Sequence, residues 1–356
     1  LVAGAGCAPG AAGVVSWLRH RTLRWGVRGR PPEPLVRVLS APGRPALAVV
    51  ARQLAERMRA TTIDNDWPMA EALLLAAGAE PPTGDVFVRG WARFRRHPAG
   101  RRPVVDVLRD DPWLTAMAGR MFEVDTLAVE LSGDWPEALV DLCGEGRVDR
   151  ERVLAGCLWR MRAGDRVTAM GNILKIHVLL EVTPGEVAAH RQEYLGLLSS
   201  PSGYVADHAQ YALRQLDDAL PADELVDVVA ESSHAILLRR EKKLVRAQLL
   251  WLATVARRHP EHRAHLLAAA ATGLGNEASD LADRALDVIA RNLPAAGRTG
   301  SDDDVRKAVI DALPELTGDL ARRASAVLGV PTGGAGAAAE LLDDDAAGLV
   351  PLGEPV

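Results

Sequence analysis

The feature that most constrains this chain is a spacing. Small residues recur at Gly171, Ala209, Ala247 and Ala285, each 38 residues after the last. Around them run VTAMGNILKI, VADHAQYALR, KLVRAQLLWL and LADRALDVIA. At offsets −4, 0, +3 and +4 from the small residue, 14 of the 16 positions are apolar or Gly. Composition alone would fill about 9, and those offsets share one face of a helix. Ala209, Ala247 and Ala285 are therefore expected in the core, where paired helices cross.

The punctuation repeats as well. Pro184, Pro221 and Pro260 follow the first three small residues by 12 or 13 positions, and each opens a second amphipathic segment. Proline is tolerated at the first helical position, where its missing N–H needs no partner. Thr183-Pro184-Gly185-Glu186 reads as a capping box. One period thus holds two helices and two short turns, the unit of HEAT and armadillo arrays. The expected fold is all-α, an α-solenoid of HEAT-like helix pairs. Aromatic residues make up only 4% of the chain, so Ala, Leu and Val must fill its core.

Residues 151–330 carry the regular repeats. Residues 1–150 follow the same grammar less strictly, and seven of the eight Trp lie before residue 160. They are read as divergent helical repeats, with a separate helical domain as the alternative. Turns are expected near 29–34, 78–84, 97–103 and 144–149. Asp66-Trp67-Pro68 and Asp134-Trp135-Pro136 look like helix starts, each Trp stapling the entering chain. Residues 331–356, with five acids and no Lys or Arg, have the composition of an acidic Gly/Ala/Pro linker.

Chemistry is sparse. Cys7, Cys143 and Cys157 form no C-x-x-C pair and fit buried thiols in a reducing cytosol. Neither a membrane span nor a signal peptide is evident, which places the chain in the cytoplasm. Gly4-Ala5-Gly6 with Gly10 lacks dinucleotide-loop spacing, and no P-loop, H-E-x-x-H or G-x-S-x-G occurs. His259, His262 and His265 read as a solvated first turn with no further ligand nearby. No metal, cofactor or catalytic residue is expected. Asp302-Asp303-Asp304 suits a helix N-terminus.

Two basic clusters remain as candidate binding surfaces. Arg239, Arg240, Lys242, Lys243 and Arg246 lie near a helix start, where the macrodipole opposes positive charge. Either an acidic partner or carboxylates of the preceding helix (Asp223, Glu224, Asp227, Glu231) would relieve that conflict. The second cluster, residues 88–102, interleaves Arg89, Arg93, Arg95, Arg96, Arg101 and Arg102 with Trp91 and Phe94. That composition suits interface hot spots and single-strand nucleic-acid platforms, or an internally paired face.

Several segments, LVAGAGCAPGAAGVVSWLRHRTLRW, DVFVRGWARF, MFEVDTL and above all REKKLVRAQLLWL, resemble a family of large bacterial HEAT-like proteins known only as a domain of unknown function. The likeness runs over about 1–328 and is strongest at 239–252. It implies that this chain is an internal piece of a longer protein. Genes for SWIM zinc-finger, MoxR-type ATPase and VWA proteins accompany that family, which implies a multiprotein assembly and no particular activity.

Three functions follow for test. The first is a scaffold that binds another protein, an acidic one being the kind the basic clusters suit. The second is a nucleic-acid-binding HEAT-like protein, glycosylase-like or single-strand binding. The third is an enzyme whose mark would be a pocket of converging titratable groups. Net charge separates the first two: residues 1–110 carry +8, against −5 for the whole chain. The remainder is therefore acidic, whereas a DNA-holding array should be basic along most of its length.

Overall fold

The structure, a computed structural model, describes residues 2–20, 33–43, 45–96, 102–293, 303–316 and 318–328. The expected turns near 29–34 and 97–103 lie largely outside them, and the acidic segment 331–356 lies wholly outside. Among the described residues every regular element is helical, and the chain is all-α. It divides into two compact units, 1–183 and 184–356. The change in repeat regularity near 150 is a different property from this division in compactness.

The first unit contains α1 (Val2–Cys7), α2 (Gly10–Leu18), α3 (Glu33–Leu39), α4 (Leu47–Glu56), α5 (Ile63–Ala76) and α6 (Asp85–Arg96). It continues with α7 (Val104–Arg109), α8 (Leu114–Ala118), α9 (Trp135–Gly144), α10 (Arg150–Ala163) and α11 (Val167–Leu179). Early in the unit, successive helices pack as pairs (α1 on α2), and like members of neighbouring pairs also touch (α1 on α3, α2 on α4). Trp67, Trp91 and Trp135 are completely buried. The Trp67 and Trp135 indoles donate to the Phe87 and Ala92 carbonyls, at 3.1 and 3.2 Å, tying α5 and α9 to α6. Gly90 permits this closeness, since a Cβ there would sit 2.1 Å from the Trp67 ring.

Of the two Asp-Trp-Pro segments, one starts a helix where expected. Asp134 occupies the N-cap position of α9, with Pro136 in its first turn. The other does not: α5 begins at Ile63 and Pro68 lies inside it. Only one helical bond is forfeited there, because the prolyl nitrogen cannot donate to the carbonyl of residue 64.

The second unit contains α12 (Pro184–Ala189), α13 (Arg191–Leu197), α14 (Gly203–Arg214), α15 (Ala222–Ile236) and α16 (Lys242–Arg258). It ends with α17 (Arg263–Ala271), α18 (Ser279–Asn292), α19 (Asp303–Ala312) and α20 (Gly318–Leu328). Pro184 is the first residue of α12, Pro221 precedes α15, and Pro260 opens a 3-10 turn leading into α17. α15 packs on α16 and α17 on α18, while α14 packs on α16, α16 on α18 and α18 on α20. α15 and α17 likewise pack side by side, as do α17 and α19. Each helix pair thus rests on the next within this unit.

The constant 38-residue register needs correction. Ala209 and Ala285 are fully buried, but Ala247 is half-buried and Gly171 is exposed. Ile173, Ala209, Gln248, Ala285 and Ala324, all at 0% exposure, mark the equivalent central position of α11, α14, α16, α18 and α20. Their numbers differ by 36, 39, 37 and 39, so one fixed step drifts off the buried face by up to two residues. Where the position is small, the helices approach closely: a Cβ on Gly273 would lie 2.9 Å from that of Ala285. Where it is Gln248, the amide is satisfied internally. It donates to Ser233 Oγ and the Val229 carbonyl and accepts from the Gln210 amide at 2.9 Å.

Candidate interaction surface

The cluster on α6 faces inward. Trp91 donates its indole N–H to Asp111 Oδ2 at 2.7 Å and meets Trp135 edge-on, and Phe94 stacks on Trp67. Trp91 therefore offers no ring to a base or a partner, which removes the aromatic part of the expected surface. The arginines beside it are internally engaged. Arg95 bridges Glu71 and Asp111 at 2.5 and 2.6 Å, with its guanidinium over the Trp67 ring. Burial pushes the Glu71 carboxyl above the ordinary range, with Arg95 opposing it. Arg89, Arg93 and Arg96 converge on one buried carboxylate, Glu130, at 3.7, 3.4 and 3.4 Å. Arg93 also pairs with Asp64 at 2.8 Å. A buried carboxylate without such partners would be strongly destabilising, so these arginines have a structural task. Arg102 pairs with Asp110 at the surface, and Arg101 lies outside the described residues.

The cluster at 239–246 is also paired, but not with the acids first considered. Lys242 and Arg246 both reach Asp280 of α18, at 2.6 and 3.0 Å, and Lys243 reaches Asp207 of α14 at 2.8 Å. Arg240 meets Glu277 at 3.2 Å. Arg239 donates to the Leu198 and Ser200 carbonyls and pairs with Glu241. The acids of α15 look elsewhere, Asp223 to His262 and Glu224 to Arg191. Asp227 and Glu231 take no part. The ladder continues with Arg323 of α20 on Asp283 and Asp287 of α18. Charge alternates from helix to helix along this row: acid on α14, base on α16, acid on α18, base on α20. The positive start of α16 is thereby flanked by carboxylates of both neighbours, and Lys242 holds Asp280 below the ordinary carboxylate range.

What this row leaves uncompensated is different and was not singled out from the sequence. Tyr204 and Tyr211 on α14 are 80% and 67% exposed, and Leu250 on α16 is 54% exposed. Tyr211 and Leu250 hold the same register, two residues beyond Ala209 and Gln248. Beside Leu250 a groove of about 300 Å³ opens between α16 and α18, rimmed by Arg257, Arg284 and Arg291. Arg257 comes from α16, and Arg284 and Arg291 from α18, so no short window of sequence displays all three. A second hollow of about 420 Å³ lies against Glu277, Asp283, Glu315 and Asp319. Among the described residues no group of His, Cys, Asp or Glu is arranged to hold a metal ion, and no helix is long and apolar enough to cross a membrane. His259 and His262 face Glu261 and Asp223 respectively.

The chain matches no protein-family model, no curated protein and no solved structure.

Proposed function

We propose that this chain is a stretch of α-solenoid built from HEAT-like helix pairs, and that it serves as a scaffold binding another protein. The architecture is supported by the packing of like helices within each unit and by polar links one repeat apart. Gln210 to Gln248, Lys242 to Asp280, Arg93 to Glu130 and Arg109 to Glu145 all join residues 36–38 apart in sequence. Stacked repeats require such neighbour-to-neighbour links. The resemblance of REKKLVRAQLLWL and its companion segments to bacterial HEAT-like proteins points the same way.

The observation that carries the function is the exposed row Tyr204, Tyr211 and Leu250 beside an arginine-rimmed groove. Tyr and Arg are the residues enriched at interface hot spots. A row of large apolar groups on a face otherwise made of paired charges is the type of patch that marks a contact site.

The test is affinity capture with mass spectrometry on full-length protein, with and without nuclease. A nuclease-resistant partner should be lost with Tyr204→Ser/Tyr211→Ser/Leu250→Ser and retained with Asp227→Lys/Glu231→Lys on α15. Capture that needs nucleic acid, or that is indifferent to the triple change, would overturn the proposal.

A further inference from the structure

The groove between α16 and α18 stands out by its charge state. Its floor is apolar, formed by Leu249, Ala253 and Val288, and Leu250 stands at its edge. Among the described residues Asp287 is the one carboxylate lining it, and that group already accepts from Arg323 at 2.9 Å and Arg291 at 3.4 Å. Arg257 donates only to Thr254 Oγ1, at 3.4 Å, and Arg284 meets no carboxylate among the described residues. A few turns away the opposite holds, with every cation from Arg239 to Arg246 answered by an acid. Three guanidinium groups around an apolar floor are thus left with less than one carboxylate between them.

We infer that this groove receives an acidic segment of the partner protein, with an apolar side chain on the floor and carboxylates held by Arg257, Arg284 and Arg291. Guanidinium–carboxylate pairing is geometrically specific and stronger than a neutral hydrogen bond, and Arg257 and Arg284 meet no carboxylate among the described residues, while Arg291 shares Asp287 with Arg323. Tyr211, at the register of Leu250 one helix away, extends the apolar track, so the segment crosses from α18 toward α14. A nucleic-acid strand fits this face less well. Outside the groove the cations of this face are already paired, Lys242 and Arg246 with Asp280 and Arg323 with Asp283 and Asp287, so no continuous run of free cations is there to hold a line of phosphates. A peptide can confine its charges to the three arginines.

This inference rests on the protein-binding reading of the same face. Its test uses fluorescence anisotropy on the full chain with four labelled probes. These are the peptide Asp-Glu-Leu-Leu-Glu-Asp, the same peptide with Ser for Leu, one with Lys for each acid, and a ten-nucleotide oligothymidylate. The first peptide should bind. Exchanging Leu for Ser should weaken it severalfold, and the Lys peptide should not bind. Arg257→Glu/Arg284→Glu should reduce binding of the first peptide at least tenfold with the circular dichroism spectrum unchanged, since both side chains are exposed. Tighter binding of the oligothymidylate, no binding of the acidic peptide, or indifference to the charge reversal would each overturn the inference. If partner capture through Tyr204, Tyr211 and Leu250 survives the Arg257→Glu/Arg284→Glu change, the groove assignment fails while the protein-binding face stands. If capture does not depend on that row, the wider proposal fails.

Discussion

Gln248 is fully buried at the centre of α16, at the position its neighbours fill with Ala, and its amide makes three hydrogen bonds. Gln248→Leu would remove the acceptor of Gln210 Nε2. That nitrogen keeps the Leu244 carbonyl at 3.1 Å, and Ser233 Oγ still donates to the Val229 carbonyl at 2.7 Å. The main orphan is therefore one amide hydrogen of Gln210, a loss of about 1–3 kcal/mol, partly offset by the added apolar burial. A net destabilisation of about 1–2 kcal/mol is expected. Gln210→Leu should cost a similar amount, because it strands the Gln248 carbonyl oxygen. The double change removes both partners and leaves their neighbours satisfied, so its loss should be smaller than the sum by about 1–2 kcal/mol. A chain that divides into two compact units need not unfold in one two-state step. The cycle is therefore best read from local opening free energies, by hydrogen exchange of peptides covering α14 and α16. Additivity of the two single losses to within about 0.5 kcal/mol would show that the glutamines do not act as a pair.

The charge ladder predicts that Lys243→Asp destabilises the second unit by about 1 kcal/mol, and that adding Asp207→Lys restores most of it. Chemical denaturation of the four chains checks this, and failure of the swap to rescue would contradict the pairing. Gly90→Ala should cost about 1–3 kcal/mol or more, because the added methyl overlaps the buried Trp67 ring; an unchanged thermal midpoint would mean that α5 and α6 are not in such close contact. Thiol alkylation near pH 8 should follow burial. Exposed Cys7 reacts first, and Cys143, whose thiol burial pushes up to about 11, reacts slowly. Buried Cys157, also pushed up, should react only on unfolding, and native labelling of Cys157 at the rate of Cys143 would refute the packing of α10.

The all-α class was legible because Pro184, Pro221 and Pro260 and the apolar offsets depend only on local geometry. The register was harder. A step of 38 is close to the mean, yet intervals of 36, 39 and 37 move Gly171 and Ala247 off the buried face and put Gln248 on it. A search for small residues cannot find a position that tolerates glutamine when its amide is paired. The amides do leave a trace, since Asn172, Gln210 and Gln248 each directly follow the small residue of their window.

The basic clusters misled for a different reason. The acids that answer Lys242, Lys243, Arg246 and Arg93 lie 34–38 residues away along the chain. Read locally, a paired rung and a free patch have the same composition. The converse holds for Arg257, Arg284 and Arg291, which gather only once α16 and α18 are side by side.

On the proposed function, the α14–α16–α18 row of the second unit is where this chain meets a partner protein. The most direct measurement places a photoreactive benzophenone side chain at Tyr211 and, separately, at Asp227 of α15, in the full-length protein inside its own cells. Irradiation should give a discrete protein adduct from position 211 and none from position 227. Equal adducts from both positions, or nucleic acid rather than protein attached at 211, would contradict the claim.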